Sequence, residues 1–288
     1  MAPVPRLSMA AALASLISLQ IGAAFAKTIF PLVGPEGVAT LRIGITALIL
    51  LVVFRPWKLN FNRSNWSSVF VYGAMIGLMN ILIYRAFLHI PVGIAISIEV
   101  LGPLGASLLA TKRKIDFLWI LFALIGVMLL PYGESSASLN TTGVIYAILA
   151  AVCWGLYINS ASKVSNLGSG AVTVGMCLAA MLVVPIGTVS AGAALLKPEV
   201  LAFGLIVAIL SSTLPFLLDI YALKRLPKSI FGLLMSASPA VSAIAGWIIL
   251  GEKLSSKQWL GIVAISIACL GATMPTKQTA DLQENRAV

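Results

Sequence analysis

Five ionisable side chains sit inside long apolar stretches of this chain: Glu99, Asp219, Arg42, Lys27 and Arg85. A charge in the hydrocarbon of a bilayer costs on the order of 3 kcal/mol even on lenient scales, so each needs a reason to be there. Glu99 is the strongest candidate. It falls near the middle of its apolar run, four residues before Pro103. A proline supplies no backbone donor and so frees a carbonyl close to the acid. Gly93, Gly102 and Gly105 let another backbone or a ligand approach. A carboxyl withdrawn from water can take up and release a proton near neutrality, which suits Glu99 to a proton or an ammonium group. Asp219, four residues after Pro215, is placed for the same work. Arg42 can clamp a carboxylate through two parallel hydrogen bonds, and Lys27 offers a point charge.

Each of these has a plainer reading. Glu99 can serve as a partner for Arg42. Asp219 can lie at a helix end and pair with Arg225. Arg42 can form a salt bridge with Glu36 or Glu99. Lys27 and Arg85 can snorkel to the membrane surface from near a helix end. Among neutral groups, Asn80, Trp154, Tyr157, Asn159, Ser236 and Ser238 can line a polar path. Trp57, Trp66, Trp119 and Trp259 read as interface anchors, because Trp gathers at the edges of a bilayer.

Other chemistry is not written here. The three cysteines, Cys153, Cys177 and Cys269, all lie in apolar runs without a C-x-x-C spacing, and His89 is the single histidine. They read as buried small hydrophobes, not metal ligands. The chain carries no nucleotide-binding P-loop, no H-E-x-x-H and no G-x-S-x-G. No enzyme activity, cofactor or metal is expected.

The elements that must carry these residues follow from composition. Hydrophobic residues make up 60% of the chain and charged ones 10%, with a mean hydropathy of +1.04. That is more apolar surface than a soluble core can bury. Ten runs are long enough to span a bilayer as helices: 9–30, 36–54, 67–88, 91–110, 116–132, 141–161, 170–191, 199–222, 228–250 and 256–274. They do not alternate apolar and polar residues as porin strands do. The expected fold class is therefore an all-α integral membrane protein. The net charge of +10 is a topology signal and does not indicate nucleic acid. With the N-terminus inside, 13 of the 19 Lys and Arg fall in cytoplasmic segments and Arg85, Lys197, Lys253 and Lys257 fall outside. An even number of spans returns the C-terminus to the cytoplasm, and the polar tail 275–288 is expected to be disordered. The first apolar run, ending Ala24-Phe25-Ala26, imitates a signal peptide. Its removal would leave the first half one helix short, so retention is expected.

The chain also repeats itself. Pro91 and Pro103 bracket an apolar run, and Pro227 and Pro239 bracket another 136 positions later. Gly22 matches Gly155 and Thr40 matches Thr173 at an offset of 133, and Trp119 matches Trp259 at 140. Each half, 9–132 and 141–274, then holds five helices. An odd number of spans inverts the second copy. Charge agrees: Lys224, Arg225 and Lys228 flank Pro227, whereas Arg85 and His89 precede Pro91. Inverted repeats of this kind mark secondary transporters, with the site where the halves meet. Pro103 and Pro239 are expected to break the fourth and ninth helices at equivalent places.

Residues 30–42, Phe-Pro-Leu-Val-Gly-Pro-Glu-Gly-Val-Ala-Thr-Leu-Arg, carry a resemblance, as do Phe54-Arg-Pro-Trp57 and 93–103 around Glu99. So do Ser212-Thr-Leu-Pro215 and Phe231-Gly-Leu-Leu-Met-Ser236. From about Ala11 to Met274 the chain resembles the drug/metabolite transporter superfamily, built from two EamA-type repeats. Within it, these motifs look like the bacterial threonine/homoserine exporter branch. One departure is that Gly251-Glu252 follows the fourth helix of the second repeat, whereas Thr111-Lys-Arg-Lys114 stands in the first. The usual role of that loop is therefore not carried over. The resemblance implies an exporter of small amino acids in the inner membrane, by proton antiport, as a monomer or homodimer. Export of another metabolite, an aromatic amino acid or a drug is the alternative within the fold. A membrane-embedded enzyme or scaffold is the alternative outside it. Basic residues accompany the acids, which favours a zwitterion over a cationic drug.

Overall fold

A bilayer offers its interior no water, so a spanning chain must satisfy its backbone within each segment, and helices do this. The computed structural model describes residues 6–56, 63–110, 115–132 and 140–274, and every regular element among them is helical. Trp57, Lys58, Lys112, Arg113, Lys114, Lys277, Arg286 and the tail 275–288 lie outside the described residues, as does the side chain of Asn159. The first half holds α1 (Arg6–Thr28), α2 (Phe30–Phe54), α3 (Arg63–His89), α4 (Val92–Glu99), α5 (Leu101–Ala110) and α6 (Asp116–Leu129). The second holds α7 (Thr141–Asn166), α8 (Ser169–Ala191), α9 (Pro198–Ala208), α10 (Leu214–Leu223), α11 (Lys228–Met235), α12 (Ser238–Leu250) and α13 (Ser256–Thr273). Eight stretches are long and apolar enough to cross a membrane, and the shorter apolar helices Val92–Leu108 and Asp116–Leu129 bring the number to ten. Paired segments make single spans: α4 with α5, α9 with α10, and α11 with α12.

One boundary differs from the sequence reading. The second span begins at Phe30, not at 36, and Ile29 alone separates α1 from α2. The residues ahead of the expected limit, 30–35, join α2 through a kink inside the helix. Gly34 has φ of 68°, a left-handed conformation that glycine tolerates, and Pro35 restarts the helix.

The second half is inverted, and packing shows it directly. Equivalent helices of the two halves run antiparallel wherever they meet. For α2 against α8, Gly37 lies against Ala191 and Gly44 against Val184. For α6 against α13, Gly126 lies against Gly261 and Trp119 against Gly271. For α4 against α12, Gly93 lies against Ala243, while the start of α4 sits beside Glu252, beyond the end of α12. The strongest pairings join one half to the other, including α3 with α7 and α1 with α10 and α12. Small residues permit this. A Cβ built on Gly126 would lie 2.7 Å from the Gly261 carbonyl oxygen, and one on Gly261 equally close to that of Gly126. Trp119 packs its ring on Gly271 in this crossing, so it is a packing residue and not the anchor expected.

The two helix breaks repeat each other as well. Pro91 (φ −57°, ψ 144°) starts α4, and Pro227 (φ −54°, ψ 139°) starts α11. The chain loosens at Val100 (φ −66°, ψ −14°) and at Ser236 (φ −63°, ψ −18°). Each break lies three residues before its proline, Pro103 or Pro239. Neither proline has an N–H for the carbonyl four residues back, at Glu99 and Met235 respectively.

Candidate functional site

Arg42 projects from α2 toward the middle of the eighth span. Its Nε donates to Ser212 Oγ (2.9 Å), its Nη1 to the Tyr84 hydroxyl (3.2 Å) and its Nη2 to the Ser211 carbonyl (2.7 Å). The guanidinium also lies over the Tyr84 ring. These acceptors exist because of a local irregularity. Ile209–Thr213 form a wide π-helical turn between α9 and α10. Pro215 has no N–H, so it leaves the carbonyls of Leu210 and Ser211 without its bond. Ser18 of α1 donates to the first, at 2.7 Å, and Arg42 to the second. Gly22 brings α1 onto this turn, since a Cβ there would lie 2.7 Å from Ser211 Cβ. Each of these partners of Arg42 among the described residues is neutral. The salt bridge to Glu36 or Glu99 allowed for in the sequence is not formed, and Glu36 binds Arg85 at 2.6 Å instead.

Glu99 is the last residue of α4 and is 5% exposed. Its carboxylate has no hydrogen-bond or ion-pair partner among the described residues, and Arg42 acts on it through space without contact. Cys153 of α7 lies within reach of its charge. Antiparallel packing fixes its depth. From the contact of Gly93 with Ala243, six residues along each chain place Glu99 level with Ala237. One residue on from Ala237, Ser238 accepts a hydrogen bond from Gln20 of α1. Gln20 lies less than one turn from Gly22 and hence from the π turn that holds Arg42. Glu99, Gln20, Ser238 and Arg42 therefore share one level of the bundle, where both helix breaks occur.

Asp219 of α10 does not pair with Arg225. That arginine lies over the Tyr221 ring, 4.1 Å from its centroid, and donates to the Tyr221 carbonyl. Asp219 Oδ1 is buried without a hydrogen-bond partner. Ser15 stands beside the acid, its hydroxyl donating to the Pro215 carbonyl. Tyr157 feels the Asp219 charge and packs on Tyr72, ring centroids 5.3 Å apart. These groups form a second polar cluster among α1, α3, α7 and α10. Trp154 is half-buried on α7, three residues before Tyr157. Asn80 and Ser236 are buried and bonded to their own helices, Asn80 Nδ2 to the Ile76 carbonyl and Ser236 Oγ to the Leu233 carbonyl. Asn80 Oδ1 remains without a partner.

Lys27 does not snorkel. Its Nζ meets Glu252 Oε1 at 2.7 Å and donates to the Ile90 carbonyl at 3.3 Å. Glu252 Oε2 accepts the Val92 N–H at 2.9 Å, so the carboxylate caps the start of α4. It fits there because Gly246 has no side chain to occupy that space. Arg85, paired with Glu36, also lies over the Tyr146 ring, on which His89 stacks. The two ion pairs thus gather at one end of the bundle. The Gly251-Glu252 pair, which the second repeat keeps and the first replaces by Thr111-Lys-Arg-Lys114, is the centre of this tie between halves. The site residues not singled out from sequence are Gln20, Tyr84, Ser211 and Glu252, together with Ser15 and Tyr72 beside Asp219. Gln20 and Ser211 had a signal, a polar residue within an apolar run. Tyr84 had none that separates it from an interface aromatic.

Comparison with known proteins bears on this arrangement. Residues 141–274 match the model of the EamA-like transporter family. The threonine/homoserine exporter RhtA of Escherichia coli K12 is 40% identical over 274 residues, covering 94% of this chain and 93% of its own. The chain belongs to the EamA-like transporter family. RhtA of Salmonella typhimurium LT2 matches this EamA-like transporter with the same identity and coverage. The uncharacterized transporter YwfM of Bacillus subtilis is 26% identical over 84% of the chain and 85% of its own. One solved crystal structure, 20% identical, superposes with a TM-score of 0.60 over 93% of the transporter and 97% of its own chain, and shares the fold.

Proposed function

We propose that this transporter exports small amino acids of the threonine/homoserine kind in exchange for protons. One observation carries the reading: among the described residues, a cation whose partners are neutral, Arg42, shares a level with an acid that has no partner, Glu99. A zwitterion needs this combination. Its carboxylate displaces the weaker neutral acceptors around Arg42 and gains charge-assisted bonds. Its ammonium pairs with Glu99. A single carboxylate cannot hold a proton and an ammonium at once, so protonation of Glu99 from the far side releases the substrate. Asp219, with Tyr157, Tyr72 and Ser15, provides a second acid on the route. The names of the 40% identical relatives support the substrate class. A cationic-drug carrier would place its acids in an aromatic cage without a nearby arginine.

The repeat units in this reading are 9–132 and 141–274, hinged at Pro103 and Pro239. In this reading the protein lies in the bacterial inner membrane with both termini in the cytoplasm, an orientation that the distribution of basic residues supports. The Lys27–Glu252 tie then closes the outer side. Proteoliposomes loaded with labelled threonine or homoserine test the proposal. A proton gradient directed into the vesicle compartment that holds substrate is expected to accelerate efflux, and Glu99→Gln to abolish that acceleration in a folded carrier. Export by Glu99→Gln at the normal rate with the normal pH dependence would make Glu99 structural.

A further inference from the structure

Gln20 is 2% exposed, in a largely apolar helix whose other buried polar residues are serines. Its Nε2 donates to Ser238 Oγ, on the first residue of α12, and its Oε1 has no partner among the described residues. Turning the amide over would only exchange which of its two polar atoms is left free. A buried amide with half its capacity unused is a poor structural tie, because the desolvated oxygen is not compensated. A ligand hydroxyl would complete it.

Position names the ligand group. Gln20 lies at the depth of Glu99 and Arg42, on the α12 side of the bundle, where the second helix break loosens the chain at Ser236 and Ala237. The repeat makes the same point from the other direction. At the first break the equivalent of Ser238 is Gly102, and the Gln20 position corresponds to Cys153. Gly102 there packs flush on the Ala151 carbonyl. The first break thus offers a carboxylate and a close-packed apolar wall, and the second offers an amide and a hydroxyl. One charge-recognising and one hydroxyl-recognising side face each other across the pseudo-symmetry.

Resting on the amino-acid reading above, we infer that Gln20 and Ser238 form the subsite that accepts the side-chain hydroxyl of the exported amino acid, with Gln20 Oε1 receiving its proton and Ser238 Oγ holding the amide in place. This subsite sets a preference for hydroxylated substrates over apolar ones of the same shape. A site built to bond a hydroxyl rejects the analogue without it, since the site's polar atom is then left unpaired.

Threonine and 2-aminobutyrate, which differ by that hydroxyl, are the probes. Efflux of each is measured from proteoliposomes of the full-length carrier and of Gln20→Met, which keeps length and removes the amide. The wild type is expected to favour threonine. Gln20→Met is expected to lower threonine kcat/KM on the order of tenfold, the size of one lost hydrogen bond, and to leave 2-aminobutyrate nearly unchanged. Ser238→Ala, which leaves α1 intact, is expected to shift the ratio the same way by a smaller factor, and it decides the matter if Gln20→Met does not fold. A wild type without preference, or variants in which both substrates fall equally, overturns the subsite and leaves the amino-acid reading standing. A wild type that moves neither amino acid overturns both.

Discussion

Arg42 is held by geometry more than by charge. Its planar fork reaches three acceptors on two helices, at Ser212, Tyr84 and Ser211. A lysine there has one nitrogen and cannot bridge them. Arg42→Lys is expected to keep the charge and lose at least one charge-assisted bond, about 1.5–3 kcal/mol, read as a rise in the apparent KM for threonine of about tenfold or more. An unchanged KM would place the substrate carboxylate elsewhere. Glu99 and Asp219 differ in the same terms. Glu99 is the more withdrawn and feels Arg42 through space, whereas Asp219 keeps a hydroxyl neighbour in Ser15.

Whole helices depend on contacts that admit no extra atom. The carbonyl of Ala151 fills the place where Gly102 would carry a Cβ, so α5 lies directly on α7. Gly102→Ala must separate two backbones, which typically costs about 1–3 kcal/mol. A clearly lower melting temperature in detergent is expected, and an unchanged one would show that the crossing can open freely. The Lys27–Glu252–Val92 tie is the reverse case, a polar contact that can break. Glu252→Gln removes the charge from the cap on α4 and is expected to cost about 1.5–3 kcal/mol of the closed arrangement. A carrier retaining Cys153 as its sole cysteine reports this. Its labelling by a membrane-impermeant thiol reagent should quicken by about tenfold or more when Glu252 is replaced. No change in the labelling rate would mean that the tie does not hold the bundle closed.

For the molecule as a whole, antiparallel pairing of equivalent helices means that helix order alone does not say which end faces the cytoplasm. Charge then has to choose which end faces the cytoplasm. Lys163 and Lys197 sit at opposite ends of α8 and its flanks, in described segments. In a carrier without native cysteines, Lys197→Cys should react with an impermeant reagent added to intact spheroplasts and Lys163→Cys should not. The opposite result would invert the orientation.

Several features were legible without coordinates because they rest on local physics. Apolar runs of bilayer length give helices wherever water is absent, and so the ten spans fall close to the expected limits. Prolines at matched spacing give matched breaks, because a missing N–H acts on its own turn. Odd spans per repeat give inversion by counting alone. Partner choice was not legible. Whether Arg42 met Glu36, Glu99 or the carbonyl of Ser211 depended on a π turn 170 residues away in the chain, created by Pro215 and approached through Gly22. Lys27 looked free to snorkel, yet the inverted copy brings Glu252 to it. Gln20 looked like one more polar interruption of α1, beside Ser15 and Ser18, until α12 placed Ser238 against it. Sequence determines which residues are costly to bury, since that cost belongs to the side chain and its stretch of helix. Only the tertiary structure decides how the cost is met, because the groups that meet it come from the other half of the chain.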